Sequence, residues 1–510
     1  MSVGPDRPDA RFGPGTGGVG HPGVIYSPGP VRPGAMVDLP DKRAEFIDWY
    51  LAVVEAANLS DKRYGVKGMN VWTPFGFQAR RNLDRVLVRE IEATGSQAVE
   101  FPALIPANEF AKEKEHIKGF DAQVFWVTRG GATELDVPLV LRPTSETAMY
   151  PIFALWIRSH RDLPLNVYQI VNTFRYETKT TRPFVRVREI HFFEEHTCQV
   201  DEEHATARVR SNLEAFRKMA GAFALPYLAL RRPDWDKFAG AHYTIAFDLP
   251  LAGARTLQLG SVHHYRDNFA VPYGIRYEAP DGSERHVHQT TFGLSERLLG
   301  AIVGTHGDRR GAVFPTAVAP VEVVVVPVPA GPSAEAVGTT SREIAEELRR
   351  AGRRVVLDDG EERPGAKYYR WELAGVPLRL EVGPREVESG RVTSVDRLGR
   401  KGSVGRSTLE ADVTARLLDF DQELSRRAAE NFRGSIRPAS TLADLSGSEA
   451  VRFLGWCGEE ACGHQIERAI DGALLGALEE PLPFPLPDPT ACIVCGRTEG
   501  IRKALAAQPM

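Results

Sequence analysis

The sequence predicts a protein of the mixed α/β (α+β) class, and at 510 residues it is long enough for about two to four domains. Two stretches carry the class assignment. Residues 171–197, VNTFRYETKTTRPFVRVREIHFFEEHT, alternate charged and large apolar residues as a strand, a loop and a second strand would. Beyond Thr316 the β-branched run VEVVVVPVP, the helix-like SREIAEELRRAG and the strand-like RRVVLD form a βαβ unit of a buried parallel sheet.

Composition limits the function classes. Apolar content of 43 % and charged content of 25 % are ordinary for a globular protein. No run of 18 apolar residues and no secretory signal pattern is present, so neither membrane insertion nor secretion is expected and the cytoplasm is the expected compartment. A net charge of -4 argues against a uniformly basic nucleic-acid coat while leaving room for a local basic face.

Taken in chain order, residues 1–35 are crowded with glycine and proline and are expected to be disordered, either as a flexible leader or as an untranslated stretch ahead of a true start at Met36. Phe46, Trp49, Tyr50, Val53 and Val54 recur at helical spacing. From Phe77 to Thr94, Leu83, Val86, Leu87 and Ile91 share a second helical face that Gly95 can stop. AVEFPALIP follows as a strand, with Pro102 placing it at an edge or interface. LRPTSETAMYP, residues 141–151, reads as a strand end turning into a helix capped by Thr144 or Ser145, with Glu146 in the first turn.

In the 171–197 stretch, Arg175 and Glu177 share one face of the first strand, and Arg186, Arg188, Ile190 and Phe192 share one face of the second. That face is either a salt-bridged sheet surface or a site for a polyanion, since guanidinium forks grip phosphate and carboxylate oxygens bidentately. HQTTFGLSERLLGAIVGTHGD, residues 288–308, adds a glycine that admits a ligand close to the backbone ahead of a helix starting near Arg297. A domain boundary is expected near 317, and a further helical stretch from about 420 leads to the cysteines. Cys457-x4-Cys462 and Cys492-x2-Cys495 have the spacing of a closed tetrahedral zinc site; a disulfide pair, or His464 in place of one ligand, is the alternative. Cys198 stands alone and reads as a small buried residue.

The three motifs in this order resemble those of class II aminoacyl-tRNA synthetases. The words KEKEHIKGFDAQVFWVT, LRPTSET, NTFRYE, TRPFVRVREI, KFAGAHYTIAF and LQLGSVHHYRDNF are similar to those of the prolyl-tRNA synthetases of the archaeal and eukaryotic-like branch, from about Asp41 to the last cysteines. The resemblance implies an antiparallel-sheet catalytic core over 36–317, an anticodon-binding domain over 318–420 and a small zinc-binding domain over 421–510. It implies an enzyme that activates L-proline with ATP and Mg2+ to prolyl-adenylate and passes the prolyl group to tRNA(Pro), working as a homodimer through the 77–94 helix and the Pro102 strand.

Residue by residue, the resemblance implies that Thr144, Glu146 and His263 bind proline and that Arg175 holds its carboxylate together with the α-phosphate. Glu177, Arg186, Gln258, Ser261, Ser295 and Arg297 are implied for ATP, with Arg175, Glu177, Arg186 and Arg297 as the catalytic set. Glu362 and Lys367 are implied for anticodon bases, and Cys457, Cys462, Cys492 and Cys495 for structural Zn2+. Two departures stand out: Ile190 occupies a position where many class II enzymes stack a phenylalanine on adenine, and the chain stops at Met510 where relatives commonly end in tyrosine. About ninety residues separate Glu194 from Thr291, too few for an inserted editing domain. A synthetase for threonine or glycine, or a tRNA-binding protein that has lost catalysis, is the competing reading.

Overall fold

A computed structural model describes residues 37–111, 123–253, 255–447 and 449–510. The leader, Met36 and the 112–122 part of the KEKEHIKGFDAQVFWVT word lie outside the described residues.

The frame is an eleven-stranded sheet. Its middle is antiparallel, in the order Leu228–Arg231, Tyr243–Pro250, Arg255–Arg266, His288–Ser295, Glu189–Gln199 and Leu165–Phe174, with the short strand Gln97–Ala98 added in parallel at one edge. Side-chain alternation along Glu189–Gln199 divides its two faces. Phe193 enters the main core and Glu195 meets the Glu202–Ala222 helix, whereas Phe192, Glu194 and His196 face a cavity. The helices Pro74–Glu92 and Glu202–Ala222 cover the core face, where the rings of Phe216 and Phe247 stack with centroids 3.8 Å apart. Glu195 is fully buried there and stays compensated by Arg208, Asn212 and Ser96.

Local sequence explains the helix ends. Thr73 accepts from Gly76 N at 3.1 Å and Pro74 occupies the first helical position, so the helix expected from Phe77 begins three residues earlier. The helix Glu146–Trp156 has Ser145 at its N-cap without a side-chain cap, because the Ser145 hydroxyl donates to Glu194 instead. AVEFPALIP is not one strand: Gln97–Ala98 and Leu104–Pro106 flank a non-ladder stretch in which Phe101 N donates to Gln169 Oε1 and Phe101 O accepts from Arg142. The paired strands of the 171–197 stretch end at Phe174 and resume at Glu189, so Arg175, Glu177, Arg186 and Arg188 sit on the loop between them.

A second, five-stranded sheet places Val323–Pro327 between Val355–Leu357 and Leu378–Val382 in parallel, then adds Arg391–Asp396 and Lys401–Gly405 antiparallel. Helix Ala334–Arg350 packs its apolar stripe of Val337, Ile344 and Leu348 into this sheet's own core. The helical stretch read from about 420 starts at Leu409 and runs to Ser435. Its buried positions Leu409, Val413, Leu417, Phe420, Leu424, Ala428 and Phe432 continue one stripe across that point.

The cysteine-bearing end of the chain is stitched into the first sheet. Ala473–Leu478 pairs with Leu228–Arg231, and Arg502–Pro509 lies between Ala473–Leu478 and Val451–Trp456. The tip of Arg502–Pro509 reaches the strand Arg255–Arg266, with Arg255 opposite Gln508 and Thr256 opposite Pro509. Met510 N donates to Thr256 O at 2.8 Å, and the Met510 side chain packs against the main core.

Candidate active site

On the open face of the antiparallel strands lies a cavity of about 320 Å3. All ten residues implicated in proline or ATP binding line it: Thr144 just ahead of a helix and Glu146 at its start, Arg175, Glu177 and Arg186 from the 175–188 loop, Gln258, Ser261 and His263 from one strand, Ser295 from the end of another strand and Arg297 from the start of the helix that follows it.

One end is built for a cation. Glu146 is buried, its carboxylate accepting from Thr144 Oγ1 at 2.5 Å and from the Tyr265 hydroxyl at 3.0 Å, while Thr291 donates to Tyr265 at 3.0 Å. Behind it Glu194 accepts from Ser145, from Gln169 Nε2 at 2.8 Å and from His196, 3.1 Å away. Burial pushes the Glu194 pKa up, but the hydrogen bonds from His196, Ser145 and Gln169 outweigh it and hold the group below the ordinary carboxylate value. Two carboxylates in a buried pocket favour a positively charged guest.

The rest of the lining is built for anions. Arg175 Nε donates to Pro143 O at 3.1 Å, and Arg186 pairs with Glu177 at 3.2 Å. Arg297 donates through Nε to Val185 O at 2.9 Å and through Nη1 to Gln258 O at 3.4 Å, which locks the guanidinium across the cavity floor. Burial, then the nearby charges of Arg175 and Arg186, push the Arg297 pKa down to about 10, and it remains a cation at neutral pH. Arg188 leaves this set: its guanidinium lies over the Tyr176 ring at 4.3 Å and donates to Glu177 O. The face read from the alternation therefore contributes two arginines and one carboxylate, since the loop residues do not keep strand alternation.

Smaller placements refine the picture. Ser295 Oγ accepts from Arg297 N at 3.3 Å. His263 sits between Thr244 and Ser261, and burial pushes its pKa down to about 3, so the ring is neutral. Ile190 lines the cavity together with Phe184, whose ring packs on Trp72 with centroids 4.7 Å apart. Tyr265 and Thr244 were not singled out from the sequence. The period of two along Ser261, His263 and Tyr265 on one strand was the available signal for Tyr265, whereas Thr244 had none of its own.

Glu362 and Lys367 lie on the second sheet's domain, away from the cavity residues. Lys367 is 3 % exposed and its ammonium donates to Asp358 O at 2.8 Å, while Glu362 is paired with Arg370. In this arrangement the charge of Lys367, expected at anticodon bases, is turned inward by the carbonyl and carboxylate of Asp358. Cys198 is buried in a secondary core.

The sulfurs of Cys457, Cys462, Cys492 and Cys495 all lie within 4.8 Å of one another, and those of Cys457 and Cys495 are 3.8 Å apart. Thiolates bound to one tetrahedral zinc at about 2.3 Å would be separated by roughly 3.8 Å, so the four-cysteine cluster is compatible with zinc. All four cysteines are free thiols, and His464 is engaged by Glu467 at 2.7 Å and Glu460 at 3.3 Å. Among the described residues this is the one group of three or more potential metal ligands.

With that geometry in view, residues 125–306 match the tRNA synthetase class II core domain (G, H, P, S and T), and residues 322–416 match the anticodon binding domain. The proline–tRNA ligase of Thermococcus kodakarensis is 48 % identical over 462 residues, 89 % of this chain and 95 % of that protein. This chain belongs to the proline–tRNA ligase family. The Archaeoglobus fulgidus proline–tRNA ligase is 47 % identical over 92 % of this chain and 99 % of its own length. A Giardia lamblia prolyl-tRNA synthetase, solved in complex with prolyl-adenylate, matches with a TM-score of 0.87 at 30 % identity, over 93 % of this chain and 100 % of that one. The synthetase is thus an aminoacyl-tRNA ligase with a class II antiparallel core and an anticodon-binding domain. The stretch between Glu194 and Thr291 is taken up by the strands and helices of the core itself, which leaves no room for an inserted editing domain. Among the described residues no helix is long and apolar enough to cross a membrane.

Proposed function

We propose that this synthetase joins L-proline to ATP in the described cavity and then esterifies tRNA(Pro). The observation that carries the reading is charge placement: a buried Glu146 with two hydroxyl donors lines the same cavity as Arg175, Arg186 and Arg297, and Arg175 is near enough to feel the Glu146 charge. A zwitterionic amino acid laid between them puts its ammonium on Glu146 and Thr144 beneath the His263 wall, and its carboxylate on Arg175. ATP takes the remaining cations, with Glu177, Gln258, Ser261 and Ser295 along its length and Ile190 offering an aliphatic face to the base.

The reaction needs no protein nucleophile. The proline carboxylate oxygen attacks the α-phosphorus, the bond to the β-phosphate oxygen breaks and pyrophosphate leaves. A terminal ribose hydroxyl of the tRNA then attacks the acyl carbon and AMP departs. Holding two anions in line against fixed positive charge supplies the rate enhancement. Glu177, beside Arg186 on the cavity wall, is the carboxylate that would face the adenosine amino group or a magnesium ion, which would supply neutralising charge to the triphosphate. The four cysteines hold a structural zinc with no open position. The family reading also gives a homodimer through the Pro74–Glu92 helix and the Pro102 region, work in the cytoplasm, and anticodon contacts on the 322–416 domain near Glu362, with Lys367 contributing once it is released from Asp358.

A pyrophosphate-exchange panel of proline, alanine, cysteine, threonine and glycine tests this reading. Proline should give the highest kcat/KM, with alanine and cysteine reduced by the lost packing of about 1–3 kcal/mol. Exchange that favours threonine or glycine, or no exchange with any amino acid, overturns it.

A further inference from the structure

Thr244 and His263 face each other across the antiparallel pair Tyr243–Pro250 and Arg255–Arg266, and Ser261 lies two residues along on the same face. Thr244 Oγ1 accepts from Phe238 N at 3.0 Å and lies 2.8 Å from His263 Nδ1, and His263 Nε2 lies 3.0 Å from Ser261 Oγ. The Phe238 ring, 4.7 Å away, and the parallel Tyr265 ring, 6.0 Å away, hold the imidazole plane.

Counting protons fixes the direction of this chain. Burial leaves His263 neutral, so the ring carries one proton. The Thr244 oxygen already receives the Phe238 N–H, and the one acceptor its own proton meets among the described residues is His263 Nδ1. Nδ1 then accepts, the ring proton sits on Nε2, and Nε2–H donates to Ser261. The Ser261 proton meets no acceptor among the described residues and has the cavity before it. The opposite tautomer would leave the Thr244 proton without a protein partner at the more deeply buried of the two hydroxyls, 3 % exposed against 9 % for Ser261, although both line the cavity.

We propose that Thr244 is a positioning residue for the reaction, which through His263 turns the Ser261 hydroxyl into a hydrogen-bond donor to an oxygen of the bound adenylate. The activity part of this inference rests on the proposed function; the geometry does not. Thr244→Val keeps the side-chain shape and removes the hydroxyl.

In proline-dependent pyrophosphate exchange, Thr244→Val and Ser261→Ala should each lower kcat by about 10- to 100-fold, as for the loss of one hydrogen bond to a charged group. The double variant should be no worse than Ser261→Ala alone, and Thr244→Ser should restore the rate. Thr244→Ala serves as a second variant should the valine chain not fold.

The substrate-free enzyme gives an independent readout. In 15N-histidine-labelled protein, with the His263 signal assigned by its loss in His263→Gln, wild type should show Nε2 protonated and Thr244→Val should lose that preference and give a mixture of the two tautomers. A wild-type ring protonated on Nδ1, an unchanged tautomer in Thr244→Val, or additive losses in the double variant overturns the relay. A silent exchange assay in wild type with the expected tautomer instead overturns the proposed function and leaves the relay standing.

Discussion

Arg175, Arg186 and Arg297 share one cavity, and the depressed pKa of Arg297 expresses first the cost of burying its charge and then its repulsion by Arg175 and Arg186. A polyanionic substrate relieves that cost. Arg175→Ala should therefore reduce proline-dependent pyrophosphate exchange by several orders of magnitude with the fold intact by circular dichroism, and near-normal exchange would remove Arg175 from the reaction. Glu296, next to Arg297, has a different fate. Burial pushes its pKa up to about 7, while its carboxylate accepts from His191 N at 2.8 Å and Arg80 and Arg297 lie nearby. Because the folded-state pKa is raised, the protonated form favours folding at low pH, and that contribution is lost as pH rises from the ordinary value near 4.5 through 7. Glu296→Gln keeps an acceptor for His191 N. Relative to wild type it should gain stability between pH 5 and pH 8, by at most about 2–3 kcal/mol in denaturant unfolding; parallel pH profiles for the two proteins would contradict this. Glu296 was not singled out from the sequence, but Arg175, Arg186 and Arg297 were legible there because charge is rare in a core. Tyr265 and Thr244 were not, because a hydroxyl acquires its meaning only from the partner that folding supplies.

At the scale of elements, periodic segments were legible and loops were not. Apolar spacing located the helices Phe46–Ala56 and Pro74–Glu92, since burying one stripe is what makes them helices. The same logic misplaced Arg188, because the ladder ends at Phe174 and the 175–188 segment follows its own hydrogen bonds, such as Arg175 N to Arg188 O at 2.9 Å and the mutual bonds of Arg182 and Arg186. One strand pair depends on a glycine for a reason the sequence could not reveal. Gly260 lies opposite Leu294 where the two strands that carry Ser261 and Ser295 approach closely, and a Cβ there would fall 2.3 Å from Gly293 O. Gly260→Ala must spread the two strands and should cost about 1–3 kcal/mol of stability, with a rise in KM for ATP as Gln258 and Ser261 are displaced. Unchanged denaturant midpoint and unchanged KM together would show that the pair can absorb a methyl group.

At the scale of the whole molecule, the terminal strand ties the cysteine-bearing lobe to the catalytic sheet. Arg502–Pro509 hydrogen-bonds to strands on both sides and then reaches Thr256, two residues before Gln258. No local pattern announces such a contact, because pairing between Arg255 and Gln508 depends on the path of the intervening chain and not on either segment's own preference. Composition gave no sign that the cysteine-bearing end would share one sheet with the catalytic strands. The link makes the last two residues a selective probe. Deleting Pro509 and Met510 removes the contact with Thr256 and the Met510 packing but keeps the pairing of Lys503 to Ala507 within the lobe. The cysteine lobe should therefore stay folded, while the Arg255–Arg266 strand, left with its Arg255–Gln508 contact to the tip, loosens Gln258 and, through its carbonyl, Arg297. The expected result is a KM for ATP raised about tenfold, equivalent to roughly 1.4 kcal/mol, with the KM for proline changed much less because Glu146 and Thr144 lie on another element. Equal increases in both constants would mean that the tip supports the whole cavity, and no change in either would mean that the lobe is joined to the catalytic sheet without steering it.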